Sequence, residues 1–351
     1  MLISIIIPIY KVEKYIEECL KSIKEQKFQD FEVLMINDGS PDNCHAICQK
    51  FAAADKRFKY FRQENKGVSA ARNKGLAEAK GKYIYCMDPD DKFSPDFLQA
   101  MHDEAERTNA DMVLNIGVLS CLTPRKTFPL HNTVPGCYEA TIENYFVNGY
   151  LWFKLLRKDI IDRAGIKFTE GCHYREDELF GLMLYPYIQS YSVIKQGYYY
   201  YRQHGDSALA KLRKSRKRYA ESMTISLWKI FEFYKTRNFE SYSFLAIQIL
   251  PYFHEWYNKH HYWNLMQSLN NNYNLERWNK YLHLYLQTAL KKQSYLLFLI
   301  RIWWLYGIGY AKSLRKKLFS IKIHKDYRLI KIFGITLLEN DQRNINTKKI
   351  A

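Results

Sequence analysis

Three carboxylates crowd into four positions at Asp88-Pro89-Asp90-Asp91, directly after the apolar, aromatic run Gly81-Lys82-Tyr83-Ile84-Tyr85-Cys86-Met87. A run of that length, opened by Gly and rich in Tyr and Ile, predicts a buried strand. Pro89 has no N–H to donate and ends the strand ladder. Ligands of open α/β sheets bind just beyond the carboxyl ends of the strands. Mutually repelling carboxylates destabilise such a place, and a divalent cation with hard oxygen ligands offsets them. The structural alternative is an acidic turn capping the next helix, but Ser94-Pro95 already supplies that helix start. A second acidic group, Glu176-Asp177-Glu178, heads another expected helix, where carboxylates also complement the macrodipole.

The elements that must position these groups follow from periodicity. Ile3 to Ile9 is nearly all apolar, as an inner parallel strand is. Residues 13–26 place Ile16, Cys19, Leu20 and Ile23 on one helical face. Phe31 to Ile36 predicts a second buried strand running into Asn37-Asp38-Gly39-Ser40, and Ser40-Pro41 an N-cap and first turn for a helix burying Cys44, Ile47, Cys48 and Phe51. A short strand over 58–62, a helix over 67–79, the opening run as fourth strand, a helix from Ser94-Pro95 and a strand over 111–119 continue the alternation. Strands alternating with helices predict a mostly parallel, doubly wound sheet flanked by helices. No GxGxxG follows the first strand and no GxxxxGK[ST] occurs, which weakens dehydrogenase and ATPase readings.

With 351 residues the chain accommodates one large α/β domain and a smaller one. Seven cysteines without a CxxC pair point to reduced thiols and a cytoplasmic setting. The first eight residues lack a basic leader and cleavage site, so a first core strand is expected rather than a signal peptide. Charge divides the chain: residues 1–210 hold 27 Lys+Arg and 28 Asp+Glu, whereas 211–351 hold 26 and 8. The expected domains are therefore a neutral one over 1–210 and a basic, aromatic-rich, mainly α-helical one over 211–340, with a disordered tail over 341–351.

Five segments share one further pattern: Pro8-Ile9-Tyr10, Asn37-Asp38-Gly39-Ser40, Gly67-Val68-Ser69-Ala70-Ala71-Arg72-Asn73-Lys74-Gly75, Asp88-Pro89-Asp90-Asp91 and Arg175-Glu176-Asp177-Glu178. In this order and spacing they resemble the family 2 glycosyltransferases of bacteria, inverting enzymes of the GT-A fold that build surface polysaccharide or lipooligosaccharide. The resemblance covers roughly 1–210, with a donor half over 1–120 and an acceptor half over 121–210. It implies that Pro8 and Tyr10 line the base and ribose, that Asp38 reads the uracil, and that Arg72 serves the phosphates or Asp38. It further implies that Asp88 meets the ribose, Asp90 holds Mn²⁺ or Mg²⁺ on the diphosphate, and Asp91 supports the loop. Asn37 and Pro89 depart from the family's more usual Asp and Ser.

The same resemblance makes Asp177 the base that takes the acceptor proton and Glu176 an orienting or acceptor-binding group. Trp152 becomes a candidate floor for the acceptor sugar, the alternative being a core position. His204 becomes a candidate metal ligand or phosphate contact, the alternative being a surface histidine, and Arg202 a phosphate contact. The implied reaction is transfer of one sugar from a UDP-sugar to a hydroxyl of a glycan or glycolipid acceptor, such as lipooligosaccharide, capsule or a lipid-linked oligosaccharide.

The second domain suggests where this happens. Residues 295–310 form the most apolar run, interrupted by Arg301 and short of the roughly 20 residues a spanning helix needs. With Arg315, Lys316 and Lys317 beyond it, the run suits an anchor on the anionic inner face of the cell membrane, or alternatively a buried helix. Residues 321–338 alternate enough for a terminal β-hairpin. Asn274-Leu275-Glu276-Arg277-Trp278 misses the QxxRW of processive relatives, which favours single addition. Two other classes compete: a basic nucleic-acid-binding protein, which lacks any accompanying motif, and a nucleotide-sugar-binding protein without catalysis. Homo-oligomerisation is left open.

Overall fold

The computed structural model describes residues 2–120, 134–140, 150–172, 174–205, 226, 228–237, 319–323, 327–332 and 335–340. The chain forms two compact units, Met1–Tyr257 and Asn258–Ala351.

The first unit is built on β1 (Ile3–Ile9), β2 (Phe31–Asp38), β3 (Phe58–Gln63), β4 (Tyr83–Cys86), β6 (Met112–Asn115), β8 (Gly136–Glu139), β9 (Lys154–Arg157) and β10 (Ser190–Ile194). These make one sheet in the order β3-β2-β1-β4-β9-β6-β10-β8. β3, β2, β1 and β4 are mutually parallel, and β9 lies antiparallel between β4 and β6. A small second sheet joins β5 (Lys92–Phe93), β11 (Tyr199–Tyr201) and β7 (Val118–Ser120). Every residue of β1 and β2 is buried, which is why both read as mostly apolar runs, interrupted by Ser4 and Glu32, whose side chains bond each other.

Helices α1 (Glu13–Lys24), α2 (Cys44–Ala54), α3 (Val68–Glu78) and α4 (Phe97–Thr108) link these strands, followed by α5 (Lys158–Ala164) and α6 (Glu176–Leu184). The expected helix starts are displaced, by three residues for α2, which begins at Cys44, and by two for α4, which begins at Phe97. Ser40 Oγ is occupied otherwise, accepting the Lys11 N–H at 2.7 Å and donating to Asp42 at 2.6 Å. Ser94 Oγ likewise donates to Asp96 and accepts the Tyr198 N–H. Both serines therefore tie loops together instead of capping helices.

The chain runs β1 to β2 to β3 outward on one side, then returns to place β4 on the other side of β1. That reversal opens a crevice at the carboxyl ends of β1 and β4. β4 pairs β1 only from Ile3 to Ile6, whereas β2 accompanies β1 to Ile9. Pro8 faces the same side as Ile6, so its missing N–H falls where β4 has already left the sheet. A proline in a central strand thus costs no ladder bond and marks the mouth of the crevice.

Helix α3 approaches this mouth closely because of Gly75, where a Cβ would run into the Ile6 side chain of β1. The charge-based boundary at 210 is not where the contacts divide. A further helix over 228–236 belongs to the first unit, with Ile230, Phe231 and Tyr234 buried, and Tyr234 Oη donating to the Leu182 carbonyl at 2.8 Å. Net charge reports surfaces, whereas a domain is bounded by its core. In the second unit, β12 (Phe319–Ile323), β13 (Tyr327–Ile332) and β14 (Ile335–Asn340) form an antiparallel three-stranded sheet, one strand more than the expected hairpin. Among the described residues no helix is long and apolar enough to cross a membrane. The apolar run at 295–310 and the tail at 341–351 lie outside the described residues.

Gly75→Ala should lower unfolding stability by roughly 1–3 kcal/mol through overpacking against the β-branched Ile6. Urea denaturation checks this, and a midpoint equal to the native one contradicts the close approach.

Candidate active site

The sheet delivers its polar groups to one place. β4 ends at Cys86 and releases Asp88, Asp90 and Asp91; β2 ends in Asn37 and Asp38; α6 opens with Glu176 and Asp177. Arg72 on α3 joins the donor and acceptor sides. Its Nη1 donates to Glu176 Oε1 at 2.7 Å and its Nη2 to Asp88 Oδ1 at 3.3 Å. The guanidinium is buried and stands 5.5 Å over the Phe168 ring. Burial opposes its charge, yet Glu176 and then Asp88 more than offset that, so its pKa lies above the usual guanidinium value. Asn73 fixes the same junction, donating to the Phe168 carbonyl at 2.9 Å and accepting the Phe168 N–H at 2.7 Å.

Of the two roles expected of Arg72, serving the phosphates or Asp38, the second does not occur: Arg72 engages Asp88 and Glu176 instead. Asp38 serves its own chain: Oδ1 accepts from Gln63 at 2.8 Å and the Lys66 N–H at 2.9 Å, and Oδ2 accepts the Gly67 N–H at 2.8 Å. Those bonds shape the entry to α3, and they leave one Asp38 lone pair for a base. Asn37 is buried beside it, accepting the Ser40 N–H at 2.8 Å and donating to Tyr60 Oη at 3.0 Å. Pro8 is buried in β1, and Tyr10 just beyond it is 41% exposed, with the Lys11 ammonium 5.2 Å from the centre of its ring.

The three aspartates of the β4 exit differ in surroundings. Asp91 is buried, its Oδ2 accepting Tyr199 Oη at 2.5 Å and its Oδ1 the Arg202 N–H at 2.6 Å. It ties the acidic loop to β11. Burial, then the charges of Asp90 and Asp88, push its pKa well above the usual carboxylate value. Asp90 meets His204, with Nε2 and Oδ2 at 2.8 Å, although 114 residues separate them. The Tyr15 ring lies 4.7 Å from the His204 ring. The guanidinium of Arg202 donates to the Asp90 carbonyl at 2.8 Å and pairs with Glu18. Glu18 also holds Lys92 at 2.7 Å.

Asp90 and His204 supply a carboxylate and an imidazole, a donor set that Mn²⁺ accepts and that Mg²⁺ accepts through its carboxylate. His204 Nδ1 is buried without a hydrogen-bond partner, so the ring has bonding capacity to spare. Among the described residues no group of three or more His, Cys, Asp or Glu is placed to hold a metal. Substrate oxygens and water would have to complete any coordination, as they do in diphosphate sites.

On the acceptor side, Arg175 adopts the left-handed region at φ 60° and turns the chain sharply into α6. The Glu178 N–H donates to Asp177 Oδ1 at 2.8 Å, and Arg175 pairs with Glu178 at 2.5 Å. Burial first, then Glu176 and Glu178, push Asp177 up to about 7. Burial likewise pushes Asp88 up to about 6, with Arg72 pulling down and Asp90 and Glu176 adding to the rise. Trp152 does not offer the acceptor face expected of it. It is 3% exposed, its ring stacked at 4.9–5.6 Å with Tyr199, Tyr150 and Tyr201. Its apolar area is satisfied inside the protein, and the half-buried Tyr150 and Tyr201 stand outside it.

Sequence reasoning passed over Tyr199, Phe168, Asn73, Glu18 and Lys154. Asn73 sits inside a quoted motif and was within reach; the others have no local signal.

A mostly parallel sheet flanked by helices, with its crevice at the β1–β4 reversal and acidic groups from β4 and α6 at its mouth, is a GT-A-like α/β fold. The sequence pattern of glycosyl transferase family 2 matches residues 4–162 of the chain. The chain is 33% identical over 221 residues to the uncharacterized glycosyltransferase EpsJ of Bacillus subtilis, covering 59% of this chain and 62% of that one. It is 29% identical over 222 residues to the putative glycosyltransferase EpsH of the same organism, covering 60% and 64%. The chain thus spans somewhat under two thirds of the length of these relatives. Among solved structures, S. aureus TarS 1-349 in complex with UDP-GlcNAc superposes with a TM-score of 0.60 at 19% identity, covering 97% of this chain and 99% of that one. At that identity the likeness is one of fold.

The raised carboxyl of Asp177 carries a sign. The native state holds its proton more tightly than the unfolded chain between the ordinary carboxylate value near 4 and about 7. Native stability should therefore fall relative to an Asp177→Asn variant as pH rises through that window. Urea midpoints of both proteins in EDTA from acid to neutral pH measure this; a constant difference contradicts the burial of the carboxyl.

Proposed function

We propose that the protein transfers a single sugar from a UDP-sugar to a hydroxyl of a surface-glycan acceptor, with inversion at the anomeric carbon. The observation that carries this reading is the Arg72 bridge, which sets the Glu176-Asp177 pair facing the same cleft as the aspartates of the β4 exit. Tyr10 offers a ring to the base, Asp38 its remaining lone pair, and Asp88 an acceptor to the ribose. Asp90 and His204 would hold Mn²⁺ or Mg²⁺, which when bound neutralises charge developing on the departing diphosphate. Asp177 accepts the proton of the acceptor hydroxyl as that oxygen bonds to the anomeric carbon. The bond from that carbon to the diphosphate oxygen breaks, and its electron pair leaves with UDP. A carboxylate pushed up to about 7 suits this task, being a stronger base than an ordinary one yet largely ionised just above neutrality. Glu176, held by Arg72, orients the acceptor.

The basic residues of 211–351 support docking on anionic lipid or a phosphorylated acceptor, and with it a reaction at the inner face of the membrane. Nucleic-acid binding is disfavoured by the assembled acids, which repel a phosphate backbone, and a binding-only role by Asp177, which has no part in holding the donor. Lipooligosaccharide, capsule and lipid-linked oligosaccharides remain the acceptor classes of this proposal.

The test is transfer from a panel of UDP-sugars with Mn²⁺ or Mg²⁺ against EDTA. Asp177→Asn should lower kcat roughly 10²–10⁴-fold with donor affinity unchanged. Undiminished transfer by that variant removes Asp177 as base, and full activity in EDTA removes the metal role of Asp90.

A further inference from the structure

Lys154, the first residue of β9, is 5% exposed and projects under α6. It lines a mostly apolar cavity with Met112, Leu151, Phe180, Gly181 and Tyr185, its Nζ also 5.1 Å from the centre of the Phe153 ring. Methionine would fill such a space without desolvating an ammonium group, so the charge itself requires an explanation. The position of Nζ supplies one. A Cβ at Gly181 would stand 3.7 Å from it, so the ammonium lies against the helix at that turn, where the helix presents no side chain. Asp177 and Glu178 precede Gly181 by four and three positions and therefore share its face of α6. The amino end of a helix repels a cation, and these two carboxylates are what reverses that preference.

We infer that Lys154 is a positioning residue for Asp177: from beneath the first turns of α6 it supplies the positive charge that keeps this carboxylate ionised beside Glu176 and Glu178. The inference rests on the reading of Asp177 as the base. Several charged and titratable groups bear on Asp177. Glu176 and Glu178 share its helix, Arg72 comes from α3, and Tyr150, Arg175 and Cys172 precede α6. Burial, ahead of Glu176 and Glu178, raises Asp177, and Arg72 pulls the other way. Burial lowers Lys154 to about 8, with Asp177 and then Glu178 pulling the other way, so the ammonium is charged where transfer would run.

The test is Lys154→Met in the full chain. The acid limb of the kcat profile should move up by about one pH unit, a tenfold loss on that limb with recovery at high pH and unchanged UDP affinity. A loss equal at every pH, or an unmoved limb, overturns the inference. A second arm needs neither transfer activity nor that variant. In ¹³C-lysine NMR of the native chain, the lysine signal titrating furthest below the others should titrate lower still in Asp177→Asn. If no lysine signal moves, the coupling is absent and the inference fails, whatever the outcome of the transferase assay.

Discussion

The guanidinium of Arg72 sits between Glu176 at 2.7 Å and Asp88 at 3.3 Å, and the active cleft takes its shape from that placement. Helix α3 can present Arg72 there only because Gly75 lets it rest on β1. The two carboxylates come from elements 88 residues apart in sequence, so the bridge is also what joins the acceptor segment to the donor crevice. A buried ion pair is seldom a net source of stability, because desolvation offsets its attraction. What it does here is fix geometry. Without Arg72, the carboxylates of the β4 exit and of α6 would repel one another across the cleft.

The remaining charges follow a consistent division. Asp91 is spent inside the protein on Tyr199 and the Arg202 N–H, and this releases Asp88 and Asp90 to face the crevice. Asp38 plays a comparable internal part at the end of β2, shaping the turn into α3. Arg202 folds back on the Asp90 carbonyl and Glu18, and so fixes the segment that brings His204 to Asp90. Positioning thus consumes several of the polar groups that line the crevice. The aromatic residues behave alike: Trp152 is covered by tyrosine rings and builds the wall, while Tyr150 and Tyr201 meet solvent.

Much of this was legible in the sequence. The burial of β1 and β2 on both faces produces apolar runs that allow no other reading, and the abrupt halt of β4 at three aspartates marks the site. Motif order carried the resemblance to family 2 and drew attention to Asp88, Asp90, Glu176 and Asp177, which lie at the exit of β4 and the start of α6. The antiparallel insertion of β9 was not legible, because Lys154 to Arg157 is too short to declare its direction. Nor were the displaced starts of α2 and α4, where Ser40 and Ser94 offer good capping chemistry but are claimed by distant backbone.

The sequence by itself therefore determined which residue types exist at the strand ends, since hydrophobic periodicity and breaker residues act over a few neighbours. Only the tertiary structure decided who meets whom. Arg72 chose Asp88 and Glu176 over Asp38, Asp90 found His204, Trp152 went inside, and Lys154 came to lie beneath α6. Each outcome depends on the crossing of elements far apart in the chain, and on which carboxylates lose their water in that crossing. The physical reason is that desolvation and Coulomb interaction depend on distance in space, which local sequence does not encode.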